Sequence, residues 1–381
     1  MKDEIIYQLA LSMVPGIGPV TATHLLKHFG QASNIFNASV DELQSVSGCG
    51  KAVMLAVKGF KDFHLADKEL AFMQKWDIKC LFINDASYPQ RLKQCHDAPV
   101  VLFTKGKLFT EHQRIIAVVG SRHMTSYGAD RCRELIRELT PLNPLIISGL
   151  AYGVDACAHR AALEAGLPTA AILGHGLDRV YPAIHRKLAG NIIDNGFLMS
   201  EFPSGSTPGK DHFPRRNRII AGLCDAVIVV EAALTGGALI TANLANSYNR
   251  DVFAIPGRTT DKYSQGCNKL IRINKAHLLE SAANISYIMN WDYDHPPKNK
   301  QQTLFVVLSE EEKQMVGFIR TQTNPSIDSI VRGTGLNLSA CTSILLGLEF
   351  KGVVRPLPGK RFQLRTIDSQ ENMSLGLHQH P

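Results

Sequence analysis

Among its 381 residues the chain has no apolar run of the roughly 18 residues that a membrane helix needs, so no membrane span is expected. Met1-Lys-Asp-Glu4 has no basic segment ahead of an apolar stretch, and no signal peptide is expected. Eight cysteines are scattered from Cys49 to Cys341 without one C-x-x-C pair. That spacing speaks against a zinc ribbon, a thioredoxin-type site and a disulfide framework, and for a reducing, cytoplasmic compartment. No Walker motif, dinucleotide fingerprint or cluster with metal-ligand spacing is present, so no cofactor or metal is expected. Paired carboxylates with a companion histidine in motif spacing are missing too. What remains is an ordinary globular composition, 45% hydrophobic and 20% charged, with a net charge of +7. A positive surplus permits a polyanionic partner without requiring one, so the placement of the charge decides.

The length suggests two or three domains. Residues 1–105 read as helical. Two similar segments recur there, Val14-Pro-Gly-Ile-Gly18 and Val46-Ser-Gly-Cys-Gly50, each followed by a helical pattern. They resemble a pair of helix-hairpin-helix turns, whose backbone N–H groups can hold a phosphate. A hairpin that keeps only the turn fits equally, because the first segment has no Lys or Arg before Lys27. Residues 106–288 alternate strand and helix. Apolar runs at 115–119, 145–147, 169–173, 197–199, 226–230 and 252–255 suit strands buried on both faces. Helical patterns lie between them, for instance at 126–139, 155–165 and 238–248. The fold class expected is therefore α/β, a Rossmann-like, doubly wound, mostly parallel sheet. Residues 289–302 are polar and proline-bearing and read as a linker. Residues 303–366 read as helix, helix, helix and hairpin, a winged-helix pattern. The tail, 367–381, is polar and expected to be disordered.

Ligands of such sheets bind outside the carboxyl ends of the strands. Strand one there ends in Gly120-Ser121-Arg122, strand two in a Ser148-Gly149 turn reaching Asp155, and strand five in Glu231 leading to Gly236-Gly237. The segment after strand four carries Phe213-Pro-Arg215-Arg216-Asn217-Arg218. With Lys210 and Asp211, residues 205–222 have a local net charge of +3. Glycine lets backbone approach a ligand, helix N-termini favour anions, and the guanidinium fork suits phosphate oxygens. Together these mark an anion site. Asp155 and Asn217 are also residues that cap helices.

These residues closely resemble the family of DNA-processing protein A, also called Smf. The match runs through Gly120-Ser-Arg122, Ser148-Gly-Leu-Ala-x-Gly-x-Asp155, Gly174-x-Gly-Leu-Asp178 with Tyr181-Pro182, Ser200-Glu201, Phe213-Pro-x-Arg-Asn-Arg-Ile-Ile-Ala-Gly222, Gly237-Ala-Leu-Ile-Thr-Ala242, Pro256-Gly257 and Gly266-x-Asn-x-Leu-Ile271. The resemblance implies a Rossmann-like domain that forms a homodimer, binds single-stranded DNA in a basic pocket and loads the recombinase RecA during natural transformation. It also implies a helix-hairpin-helix (SAM-like) domain before it and a winged helix after it. By motif position, Gly120, Ser121, Arg122, Arg216, Asn217 and Arg218 belong to the pocket. Lys210, Phe213, Arg215, Gly149 and Gly237 are their neighbours there. On this reading Arg122→Glu or Arg218→Glu leaves the fold intact and weakens binding, and Phe213 is a stacking or a core residue. His185 departs from the family's Asn, which is expected to change a hydrogen bond at the pocket wall. Asn274-Lys275-Ala276 departs from its Gly-Ala, near the expected dimer surface.

Two other classes stay open. A phosphoribohydrolase-like enzyme would need a carboxylate to activate water, with Glu231 or Asp155 in that role. A pure RecA-docking adaptor would touch DNA only incidentally. The winged-helix segment carries a net +6 over residues 313–365, yet the stretch 338–350 has only Glu349, so duplex DNA and protein both remain partners for it.

Overall fold

The computed structural model describes residues 3–108, 114–291, 308–322, 325–351, 353–357 and 361–364. The expected linker, from residue 292 on, and the expected tail at 367–381 lie outside them. The chain divides into two compact units, Met1–His295 and Pro296–Pro381.

Six helices open the first unit: α1 (Glu4–Met13), α2 (Pro19–Phe29), α3 (Ala32–Asn37), α4 (Val40–Ser45), α5 (Lys51–Gly59) and α6 (Phe63–Trp76). Gly16 and Gly48 sit at φ +78° and +81°, a left-handed conformation that favours glycine, so both hairpin turns depend on them. Pro19 brings a pre-set φ to the start of α2. Ser39 and Glu42 close a capping box on α4. The apolar faces of these helices bury Leu9, Leu11, Leu25, Ile35 and Leu43 completely.

Two strands, β1 (Lys79–Phe82) and β2 (Val101–Gly106), flank the short α7 (Gln90–Lys93). The helical pattern therefore ends after Trp76, and residues 79–106 join the sheet. The alternating region then runs β3 (Ile115–Val119), α8 (Ser126–Glu138), β4 (Leu145–Ser148), α9 (Val154–Glu164), β5 (Thr169–Leu173), α10 (Arg186–Asn195) and β6 (Gly196–Ser200). It continues with α11 (His212–Leu223), β7 (Ala226–Val229), α12 (Gly237–Ser247), β8 (Asp251–Ala254), α13 (Gln265–Arg272), β9 (His277–Leu278) and α14 (Ala282–Met289). The strand order is β1-β2-β6-β5-β4-β3-β7-β8-β9. Strands β3 to β9 are parallel to one another, and β1 and β2 add an antiparallel edge beside β6. Ile115, Ala117 and Val119 enter one core while Ile116 and Val118 enter the other. Burial on both faces is the reason β3 reads as a continuous apolar run.

From β3 the chain winds through β4 and β5 to β6, then returns to lay β7 on the other side of β3. The carboxyl ends of β3 and β7 thus form the topological switch point, where the diverging crossovers open a crevice.

The second unit holds α15 (Glu310–Thr321), α16 (Ile327–Thr334), α17 (Leu338–Phe350) and the hairpin β10 (Val354–Leu357) and β11 (Arg361–Leu364). Ser309, Ser326 and Asn337 cap the three helices. Met315, Ile330, Cys341, Leu345 and Leu348 form its core. Among the described residues, no helix is long and apolar enough to cross a membrane.

Candidate functional site

A cavity of about 350 Å³ lies at the switch point. The turn after β3 supplies Gly120, Ser121, Arg122 and His123. The first turns of α11 supply Phe213, Arg216 and Asn217, and the turn into α12 supplies Thr235, Gly236 and Gly237. Gly120 is there because α9 passes close by: a Cβ on it would come within 2.5 Å of the Val154 side chain.

Arg122 is exposed, with its guanidinium 4.8 Å from the Phe213 ring centre. That is cation–π range, and it leaves the guanidinium open to a ligand. The loop that carries Arg122 is tied at both ends to one residue. Ser121 N donates to the Glu231 carbonyl at 2.8 Å, and Thr125 donates its N–H and hydroxyl to the Glu231 carboxylate at 2.9 and 2.5 Å. Thr125 Oγ1 also accepts from Gly128 N and caps α8. The buried carboxylate sits against a helix N-terminus, where the backbone dipoles favour negative charge. Glu231 is therefore a buried strut, with both carboxylate oxygens engaged by Thr125.

Arg216 lies beneath this rim, only 4% exposed. Its Nη1 donates to the Ile172 carbonyl at 2.8 Å, and Gly149 makes room for it: a Cβ there would lie 1.4 Å from Nη1. Burial pulls the Arg216 guanidinium below its ordinary pKa, against which the charge of Asp155 works. Burial likewise raises Asp155, with Arg216 and the Ala151 N–H opposing. Asp155 is thus the counter-charge of a buried arginine. Asn217 Nδ2 reaches the Gly237 carbonyl at 3.4 Å, joining α11 to the first turn of α12.

The three arginines of α11 do not converge. Residues 215 and 218 share one face of a helix, three apart, while 213, 216, 217 and 220 share another. The second face lines the cavity. Arg218 turns away from it and pairs with the buried Glu201 and the Asp97 carbonyl. Arg215 lies over the Phe202 ring at 4.8 Å and 3.5 Å from Glu201. Lys210 is exposed in the turn before α11. Lys210, Arg215, Arg218 and Gly149 are not among the cavity's lining residues, so the expected single pocket gathers Gly120, Ser121, Arg122, Phe213, Arg216, Asn217 and Gly237. For Arg215 and Arg218 the reason is helical phase plus the competing Glu201 carboxylate just after β6, while Gly149 lies against the Arg216 guanidinium and Lys210 precedes α11. Sequence reasoning missed Tyr263, which lines the cavity from the loop after β8 and stacks on His123 at 6.4 Å. No local motif announces it.

The two family departures have clear settings. His185 is buried with Nδ1 2.9 Å from the Leu150 carbonyl. Asn274 ends α13 at φ +54°, a left-handed position that Asn tolerates nearly as glycine does.

Three family descriptions match the chain: DNA recombination-mediator protein A over residues 79–290, a SAM-like helix-hairpin-helix tandem over 9–54, and the DprA winged helix domain over 308–360. Protein Smf of Synechocystis is 32% identical, covering 96% of this chain and all of that protein. The X-ray structure of DNA processing protein A from Streptococcus pneumoniae matches with TM-score 0.64 and 37% identity, over 75% of this chain and 98% of that one. The structure of DNA processing protein A from Helicobacter pylori, described for its single-stranded DNA binding mode, matches with TM-score 0.52 and 29% identity, over 57% of this chain and 98% of that one. With its sheet, both flanking domains and the Gly120–Arg122 and Phe213–Arg218 segments in place, the chain belongs to the DNA recombination-mediator protein A family.

Proposed function

We propose that this chain binds single-stranded DNA in the cavity at the switch point without chemically changing it, and that it helps to load RecA on incoming DNA during natural transformation. The observation that carries the reading is Arg122, an exposed guanidinium on a loop fixed at both ends, stacked on Phe213 over a crevice of helix N-termini. Backbone phosphates suit that arrangement and carry no sequence information, so little sequence preference is expected. The Helicobacter pylori relative's single-stranded DNA binding mode supports the same ligand. Eight free thiols, seven of them buried, suit the cytoplasm. We take the active form to be a homodimer through the Rossmann-like domain.

Fluorescence anisotropy with labelled oligo-dT tests the reading. Arg122→Glu should weaken binding by at least tenfold while the circular-dichroism melt stays unchanged, and equal affinity would reject the site. Light scattering after gel filtration, with and without oligo-dT, reads the dimer. Faster RecA filament formation on single strands already coated with a binding protein reads the loading role.

A further inference from the structure

Aromatic side chains run along the site, with Phe213, His123 and Tyr263 in the cavity's lining and Tyr181 beyond it. Tyr181, from the loop after β5, is 47% exposed, with its ring centre 6.4 Å from that of Phe213. Phe213 lies under Arg122 at 4.8 Å. The next residue, His123, stacks on Tyr263 with 28° between the planes, and Lys262 Nζ lies 5.7 Å from the same ring. The result is a row of flat side chains, Tyr181–Phe213–Arg122 and His123–Tyr263, its two parts joined at consecutive residues, with cations at its middle and at one end. It is more than a core needs, since Tyr181, Arg122 and His123 are exposed.

We infer that this row is a base-stacking track that carries a single strand across the carboxyl edge of the sheet, at right angles to the β-strands. The inference rests on the reading of Arg122 as a phosphate contact and gives that site its footprint. Tyr181 follows β5 and Tyr263 follows β8, four strand positions apart. At about 4.8 Å per position the track is about 19 Å long. With bases stacked at about 3.4 Å each, it holds roughly six nucleotides. Every base has a π face, so the track adds affinity without choosing a sequence.

Anisotropy titrations on the full chain test this with oligo-dT of 3 to 12 nucleotides and with an abasic oligomer of equal phosphate number. Affinity should climb to roughly six nucleotides and then level. The abasic oligomer should bind the unaltered chain at least fivefold more weakly than oligo-dT. Tyr181→Ala and Tyr263→Ala should each weaken oligo-dT roughly 5- to 150-fold, in line with stacking losses at other single-strand sites. Tyr181→Ala, outside the cavity's lining, should not change the abasic affinity or the salt dependence, and the Phe replacements should restore oligo-dT binding. Equal affinity for abasic and oligo-dT, which needs no variant, overturns the track. So does parental oligo-dT binding by both Ala variants while Arg122→Ala weakens it. If Arg122→Ala itself binds as the parent does, the cavity reading falls instead.

Discussion

The rim of the cavity and the layer beneath it use the same side chains to opposite ends. At the rim, Arg122 is exposed and rests on an aromatic face. One layer down, Arg216 is 4% exposed, donates to the Ile172 carbonyl and is favoured by the charge of Asp155. Behind α11, Arg218 is 8% exposed and is held by Glu201 and the Asp97 carbonyl. A guanidinium in a basic motif is therefore not the same as a guanidinium available to a ligand. The rim arginine is available to a ligand. The buried ones fix the helix that carries Phe213 to it, because a buried cation survives only when paired.

The sharpest way to break this comparison is Arg218→Glu. It places a second carboxylate against Glu201, buried and unpaired, and should destabilise the fold by about 3–5 kcal/mol, read as a lower urea midpoint. A midpoint at the parental value would mean that Arg218 is no structural cation, as the motif alone suggests. Gly149→Ala comes next. Its methyl group needs the place of the Arg216 guanidinium and should cost about 1–3 kcal/mol by the same measurement.

The layer below also titrates. His159 is fully buried, and burial lowers it to about 3 from an ordinary 6.5. Between those values the unfolded chain binds the proton and the folded chain does not, so the stability that neutral His159 contributes is complete above 6.5 and is lost as pH falls. The slope should be about 1.4 kcal/mol per pH unit. His175, also lowered by burial, adds in the same direction. Urea midpoints at pH 7.0 and 5.5 check the sign, and His159→Gln should flatten part of the slope. The smallest effect belongs to Arg215→Ala, an exposed cation beside a buried carboxylate. It should move stability by no more than about 0.5 kcal/mol and oligo-dT affinity less than any change at Arg122.

Much of the fold is legible in the sequence because burial on both faces leaves an uninterrupted signal. Ile115–Val119 and Ala226–Val229 can hardly be other than inner strands. The glycine turns at 16–18, 48–50, 120 and 236–237 announce close approaches and helix starts. Strands β1 and β2 were harder to see. β1 is a four-residue edge strand that opens with an exposed Lys79, and β2, antiparallel to both of its neighbours, ends in Thr104-Lys105-Gly106. The site is legible to the level of the motif but not of the side chain. Which arginine of Phe213–Arg218 faces the cavity depends on the phase of α11 and on Glu201 and Asp97, the latter more than a hundred residues away. Glu231 stands where a water-activating carboxylate could. Only the two bonds from Thr125 reveal it as a strut.

The salt dependence of oligo-dT binding tests the central claim most directly. Each phosphate contact on a single strand contributes about 0.7 to the slope of log Kobs against log salt concentration. If Arg122 is the rim's phosphate contact, Arg122→Ala lowers that slope by about 0.7 with the melting temperature unchanged. A slope equal to the parent's would contradict the account.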